Sequence, residues 1–526
     1  MGSPPVENIQ TFAMNSLRVI SCAALSLLAA NFACGADAKS EWAALDARGH
    51  LTYKAMPRGD RIMDFSFAGY MGGGVALPAV AVRKTLRPSG GDDTAAIQAA
   101  LDEVAGMELS GGFRGAVLLE AGTFQSTTAL AIKAEGVVLR GSGSDGNGTT
   151  IQMTGKPHVC VSIGGSGSVR AAGKSVAITD GYVPSGSTSF SVADTVDFKV
   201  GDTILVTHPT TPAWVKFMGM DGMVRNGKKE TWVSGDIHAE RVITDIAGRR
   251  ISVDIPLPDS LDAALLSPPG ASIVKCAVSE RIARAGVESL RIASPAQAIG
   301  IDQPQHQALR TRALEDGWIR DVAIVDTVNS VSLGGDTRRV TIENVRIAHS
   351  VATVGSAKPA DFTAGGTQIL FDRCSASGSN LFYFVTGAKA TGPNVLLNCT
   401  FEGGGWIQPH ARWATGLLVD GCKVSGGGID FMNRGEMGSG HGWTVGWAVA
   451  WNCTAKRFII QQPPGAMNWA IGCTGQREAA AMPFSKEPKL AEGTFEAHGT
   501  PVSPASLYLA QLRARLGPQA LKNIGY

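Results

Sequence analysis

Positive charge is scarce and scattered in this chain, and no run of it is long enough to grip a polyanion. Charged residues make up 17% of the 526, against about a quarter in an average domain. No basic run is longer than a pair such as Lys228-Lys229 or Arg249-Arg250, and the formal net charge is +2, so nucleic acid is not an expected partner. Cysteines at zinc spacing are missing as well. No Cys-x-x-Cys occurs, and beyond the leader described next an odd set remains: Cys160, Cys276, Cys374, Cys399, Cys422, Cys453 and Cys473. That pattern speaks against both a zinc site and a closed disulfide framework. No apolar run is long enough to span a bilayer, so no transmembrane segment is expected. Glycine, in contrast, fills 65 positions, the profile of a turn-rich β protein rather than a helical bundle.

Residues 1–38 read as a leader. A second start at Met14 is followed by the positive flank Arg18, the apolar stretch Val19 to Ala30 and the small-residue cleavage site Ala36-Asp37-Ala38, the layout of an export signal. The mature chain is therefore expected to be periplasmic or secreted, with Cys22 and Cys34 removed along with the signal.

The remaining cysteines keep a rhythm. Five of them sit in short apolar strings that form a series of seven, RDVAI, ENVRI, DRCSA, LNCTF, DGCKV, WNCTA and IGCTG, whose central residues are Val322, Val345, Cys374, Cys399, Cys422, Cys453 and Cys473. ESLRI, around Leu290, is an earlier member. β-like strings recurring every 20 to 30 residues between glycine-rich turns are the signature of a solenoid in which each coil adds one side chain to an interior stack. The predicted fold is all-β, a parallel β-helix. Its cysteines are expected to be small apolar fillers, roughly 5 Å apart because that is the spacing of neighbouring strands.

The front of the domain carries a helix with Ile97, Leu101 and Val104 on one face, opened by Asp92-Asp93-Thr94, and then GAVLLEAGTFQS and LAIKAEGVVLRGSG. A capping helix followed by Val-Leu-Leu-x-x-Gly-x-Phe and Val-Val-Leu-Arg-Gly-Ser-Gly resembles the opening of the pectate-lyase-like superfamily of secreted polysaccharide lyases and hydrolases. The resemblance implies a right-handed coil whose helix covers the open end of the solenoid. PHARWATG, NRGEMGSGHGW and QQPPGAMNWAIG also look like parts of a bacterial branch of such proteins.

The rhythm lapses between Ser187 and Cys276, where SFSVADTVDFKVGDTILVTHP and ERVITDIAGRRISVDIPLP read as hairpins. A small β insertion is placed there, with Trp214 and Trp232 as its expected core, the alternative being that they line a sugar cleft. Ser506 to Gly517 reads as a C-terminal helix with Leu509, Leu512 and Leu516 on one face. The expected organisation is thus a leader at 1–38, an N-terminal segment with the capping helix and first coils at 39–186, the insertion at 187–276, the main coils at 277–480 and a tail at 481–526.

Register then selects a site. Counting back twelve residues from Cys399, Cys422, Cys453 and Cys473 lands on Gly387, His410, His441 and Gln461; counting back ten lands on Lys389, Arg412, Trp443 and Pro463. Coils in phase would set His410 and His441 side by side, with Arg412 and Lys389 next to them. The long interval before Cys453 falls in Ser425 to Gly440, a loop expected to carry Asp430, Asn433, Arg434 and Glu436 to the same face. Histidines titrate near working pH and guanidiniums pair with carboxylates, so the predicted substrate is an acidic polysaccharide.

The expected activity is β-elimination at a uronic acid. His441 or His410 is the base, Arg412 and Arg434 clamp the carboxylate, and Lys389 is a further candidate for either role. Asn433, Trp443, Gln461 and Asn468 are expected against substrate, Trp443 as a stacking platform. Glu436 and Asp430, with Asp420, are the oxygen donors that Ca²⁺ would use, although no dedicated calcium loop is present. Three alternatives stand beside a lyase. Gly440-His441-Gly442 resembles the Gly-His-Gly element of polygalacturonase-type hydrolases, but the paired carboxylate motifs of that family are missing, and an inverting hydrolase needs two carboxyl groups about 6.5–9.5 Å apart. A non-catalytic carbohydrate-binding rod and a C5 epimerase are the others.

Overall fold

Each repeated string is a corner. The residue just before the ladder position is left-handed in each of the eight coils that carry the repeated string: Ser289, Asp321, Asn344, Arg373, Asn398, Gly421, Asn452 and Gly472 have φ between 48° and 67°. Asparagine, aspartate and glycine tolerate that conformation best, which is why they recur ahead of the ladder. The corner joins two parallel strands, so that Glu343 ends one sheet and Arg346 starts the next. The computed structural model describes residues 38–352, 360–378, 382–483 and 488–526. The export reading falls on residues outside this set. No helix among the described residues is long and apolar enough to cross a membrane.

Three parallel sheets run the length of the coil, making the chain a right-handed parallel β-helix. In the first, Arg338–Glu343 pairs with Thr367–Asp372, which pairs in turn with Thr391–Leu397 and then Ala414–Asp420. In the second, Arg346–Ala348, Ser375–Ser377, Thr400–Glu402 and Lys423–Phe431 follow one another. In the third, Val331–Leu333, Ala360–Ala364, Phe382–Thr386 and Trp406–Ile407 do the same. Leu290, Val322, Val345 and the five ladder cysteines are buried in one interior core. The cysteines are free thiols. Each donates to a carbonyl of the preceding coil: Cys374 to Ile342 at 3.3 Å, Cys453 to Val419 at 3.2 Å and Cys473 to Ala450 at 3.4 Å. Thiols as weak donors settle in such positions without needing a disulfide.

The helix Thr94–Ala105 buries Ile97, Leu101 and Val104 against the first coils. Its opening is held by Asp92, which accepts from the Thr94 amide at 3.0 Å, while Asp93 turns to the Gln125 amide at 3.0 Å.

The outer face of the first sheet is covered too, so its strands read as continuous apolar runs rather than alternating ones. An antiparallel module, from Val169–Ala171 to Ser272–Val278 with Thr203–His208 and Ile237–Ala247 at its centre, lies on this face. It shares a core with Val395, Leu418, Trp443 and Trp447. Trp214 and Trp232 stack at 4.9 Å inside that core. Arg241, fully buried, ties module to coil by donating to the carbonyls of Ile255, Pro256 and Gly392. The C-terminal helix Leu507–Leu516 is a brace on the same face. It buries Leu507, Tyr508, Gln511 and Leu512 rather than the expected Leu509 and Leu516, because Asp420 catches its first turn through the Ser506 hydroxyl at 2.7 Å and the Tyr508 amide at 2.8 Å.

Candidate functional site

The turns that carry the chain from the third sheet to the first are the irregular ones, and the candidate residues gather there. Backbone bonds keep three successive turns in phase: the Lys389 amide donates to the Arg412 carbonyl at 2.9 Å, and the Arg412 amide to the His441 carbonyl at 3.0 Å. Arg412 and Trp413 are both left-handed, at φ 59° and 57°, so the backbone doubles back and presents His410 and Arg412 beside the next turn. The imidazoles of His410 and His441 lie 4.7 Å apart, centroid to centroid.

Arg434 sits behind them. It is 4% exposed, donates to the His410 carbonyl at 2.9 Å and meets His410 Nδ1 at 3.2 Å. A guanidinium has no acceptor, so Nδ1 must be the bare nitrogen and His410 carries its proton on Nε2. Phe382 packs edge-on against His410 at 5.7 Å and lies under Arg434 at 5.6 Å. Arg412 is half-buried and donates to both the carbonyl and the hydroxyl of Ser439 at 2.8 Å. Among the described residues no carboxylate forms an ion pair with Arg412 or Arg434.

Burial and the two guanidiniums press in the same direction. Burial first, then the charges of Arg434 and Arg412, pull His410 down to about 4. Burial, Arg434 and His410 pull His441 down to about 3. Both rings are therefore neutral at ordinary pH, and His441 Nδ1 is buried without a partner. Beneath them Asp430, 1% exposed, accepts from the Gln408 amide, and burial raises its carboxyl to about 7.

Several expected residues do other work. Lys389 is not brought to the histidines as a free cation: its ammonium donates to the carbonyls of Ser234 at 2.9 Å and Asp236 at 3.2 Å, pinning the antiparallel module. Trp443 is no sugar platform, being 3% exposed with its indole N–H on the Met218 carbonyl at 3.1 Å. Asn433, Gln461 and Asn468 are buried backbone staples. The Gln461 side-chain Oε1 takes the Asn433 backbone amide at 2.7 Å, and the Asn468 side chain takes the Ala448 amide at 3.0 Å while donating to the Gln461 backbone carbonyl at 3.0 Å. Asn433 itself accepts from the Gly435 amide at 2.8 Å. They hold the turns in shape, since buried backbone groups must find partners. The acids expected to serve Ca²⁺ are engaged elsewhere in this structure. Glu436 accepts from the Val224 amide at 3.1 Å, Asp430 is engaged by Gln408 and Asp420 braces the C-terminal helix. Among the described residues no three acidic, histidine or cysteine side chains converge on a metal position.

Sequence reasoning missed Gln408, Phe382 and Ser439. Gln408 stands two residues before His410 in the same turn, a signal that was available; Phe382 opens a third-sheet strand and Ser439 lies in the following turn, and neither position carries such a signal.

No family model and no curated protein matches the chain. Solved structures do. The tailspike protein gp49 from Pseudomonas phage LKA1 is similar at 14% identity and TM-score 0.40, covering 74% of this chain and 64% of that one. The surface adhesin PfbA of Streptococcus pneumoniae is similar at 10% identity and TM-score 0.36, covering 76% and 80%. The A-module of the Azotobacter vinelandii mannuronan C-5 epimerase AlgE4 is similar at 12% identity and TM-score 0.26, covering 83% and 96%. The chain thus spans less than two thirds of the tailspike's length.

Proposed function

We propose that the protein acts on an acidic polysaccharide, cleaving it by β-elimination at a uronic acid bound beside His410 and His441. The observation that carries this reading is a pair of neutral imidazoles 4.7 Å apart next to two guanidiniums with no ion-paired carboxylate among the described residues. Arg412, the more accessible guanidinium, takes the uronate carboxylate in place of Ser439, which lowers the cost of charge developing at C5. His441, whose ring makes no hydrogen bond, removes the C5 proton. The electrons of that bond form the C4–C5 double bond as the C4–oxygen bond breaks. His410, its proton fixed on Nε2 by Arg434, delivers that proton to the leaving oxygen. Arg434 is thus a positioning residue rather than a second clamp.

A hydrolase is supported less well. Asp430 is buried under Gln408 and Glu436 is turned to Val224, so neither offers a free carboxyl to a glycosidic bond. The membership of the pectate-lyase-like superfamily suggested by the opening strings belongs to the same proposal.

The test is ultraviolet absorbance of the unsaturated uronyl product, using pectate, alginate, glucuronan and glycosaminoglycans. A rise with one of them, reduced about 10²–10⁴-fold in His441→Ala and unaffected by chelator, is the expected result. New reducing ends with flat absorbance would replace elimination by hydrolysis. Solvent hydrogen appearing at C5 without chain shortening would replace it by epimerisation, and binding without product would leave a recognition rod.

A further inference from the structure

A second cavity, of about 310 Å³, opens where three distant parts of the chain meet: Arg58 and Asp60 near the start, the antiparallel module, and the turn at Gln462 to Ala466. Its lining includes Trp413, the neighbour of Arg412, but neither His410 nor His441. Nothing in the β-elimination proposal uses it.

Its lining is specific. The aromatic walls are Tyr182, Trp214 and Trp413. Around them stand three carboxylates whose orientation is fixed by donors from behind. Asp60 accepts from the Tyr182 hydroxyl at 2.7 Å and the Ser185 amide at 2.8 Å. Asp259 accepts from the indoles of Trp413 at 2.7 Å and Trp447 at 2.9 Å. Asp262 accepts from Arg58 at 2.6 Å. A carboxylate offers about four acceptor sites, so each keeps capacity for a ligand. His208 completes the wall. It is 5% exposed, its ring meets Trp214 edge-on at 4.7 Å, and its Nδ1 is buried without any partner. Buried ring nitrogens are rarely left so unless a ligand or water satisfies them.

Charge decides what the ligand is. Arg58 is the lining's one guanidinium, and it is paired with Asp262 and laid over Tyr182 at 3.6 Å. An anion entering here would face the carboxylates of Asp60 and Asp259 with no free cation to meet it. The lining instead suits a ligand rich in hydroxyl donors with an apolar ring face to lay on an aromatic wall. We propose that this cavity binds one sugar residue carrying no negative charge. The inference does not rest on the chemistry at His410 and His441.

The test is saturation-transfer NMR and tryptophan fluorescence on the full chain, with methyl glucoside, methyl galactoside, methyl mannoside and glucosamine against glucuronate and galacturonate. At least one of the first four binds at millimolar concentration and the uronates do not; glucosamine alone would select an amino sugar. Gln462→Trp fills the cavity from a side chain that makes no hydrogen bond of its own, and Leu265→Trp fills it from the opposite side. Each weakens binding about ten-fold or more, with an unchanged melting temperature in at least one of them. Binding that survives both variants, uronates that bind equally well, or a folded wild-type chain that binds none of the four would overturn the proposal. Loss of lyase product would leave it standing.

Discussion

Arg412 grips Ser439 twice, through its carbonyl and through its hydroxyl, and so ties down the loop that lies over His441. The same loop brings Gly438 so close that a Cβ there would stand 2.1 Å from His441 Nε2. One guanidinium therefore holds the cover and, in the proposed function, receives the substrate, so carboxylate binding competes with loop closure.

Replacing Arg412 tests that double role. Arg412→Lys keeps the charge and loses the fork that engages two acceptors at once. We expect kcat/KM on the responsive polymer to fall about 10–100-fold, about 1.4–2.8 kcal/mol of transition-state stabilisation, with KM rising and the melting temperature nearly unchanged. A drop in melting temperature with KM preserved would make Arg412 a loop fastener only.

Gly438→Ala is expected to abolish most activity while leaving the fold intact, because φ is +60° there, the loop is exposed and the new methyl group meets the His441 ring. Circular dichroism and product absorbance measured side by side check both halves.

The pH profile follows from the two imidazoles. An ordinary histidine base would lose its function below about 6.5. Here His410 is pulled to about 4 and His441 to about 3, so the acid limb of kcat/KM is expected between those values, and an acid limb near pH 6.5 would count against His441 as the base. Stability carries its own signature. A histidine with a lowered folded pKa takes up its proton more readily when unfolded, so its contribution is complete above pH 6.5 and declines as pH falls toward 4.

Asp430 and Asp420 work with the opposite sign. Both are raised to about 7 by burial, so the folded state holds protons that the unfolded chain releases near pH 4. Their burden on stability is absent below about pH 4, grows as pH rises and is complete above about pH 7. Asp420→Asn should therefore flatten the fall in melting temperature between pH 5 and pH 8, since its amide stays neutral and its oxygen still accepts from Tyr508.

The corners can be tested through Gly472. Its φ is +67°, and a Cβ there would lie 2.0 Å from Asn452 Oδ1. That side chain cannot yield, because it is bonded to the Val502 amide and carbonyl at 2.8 Å each. Gly472→Ala should cost about 1–3 kcal/mol in denaturant unfolding, whereas Gly404→Ala, with nothing within 4 Å of its added Cβ, should be neutral.

The coil was legible because a solenoid turns sequence distance into spatial distance, and the cysteine strings marked one fixed point per turn. The same count put His410, Arg412 and His441 on neighbouring turns, and the backbone bonds between those turns keep them there. Side-chain direction was not legible. Trp443, Asn433, Gln461 and Asn468 lie in or beside turns, where the alternation of a strand gives no guide to which face a residue takes, and all four are buried. Lys389 was in register but was drawn off by carbonyls of the module packed over it, a partner that no count along the coil reveals. The cavity at His208 escaped for a related reason, being assembled from segments that share no motif.

From Ser289 onward the corner between the first and second sheets turns on a single left-handed residue, while the coil before it carries residues 141–148 at that corner and the connections between the other sheets vary in length. The chain can therefore gain or lose whole coils, or lengthen a far turn, without disturbing the stack. Variation is thus channelled into the turns that carry His410 and His441, and relatives with other substrates are expected to differ there in loop length before they differ in the core.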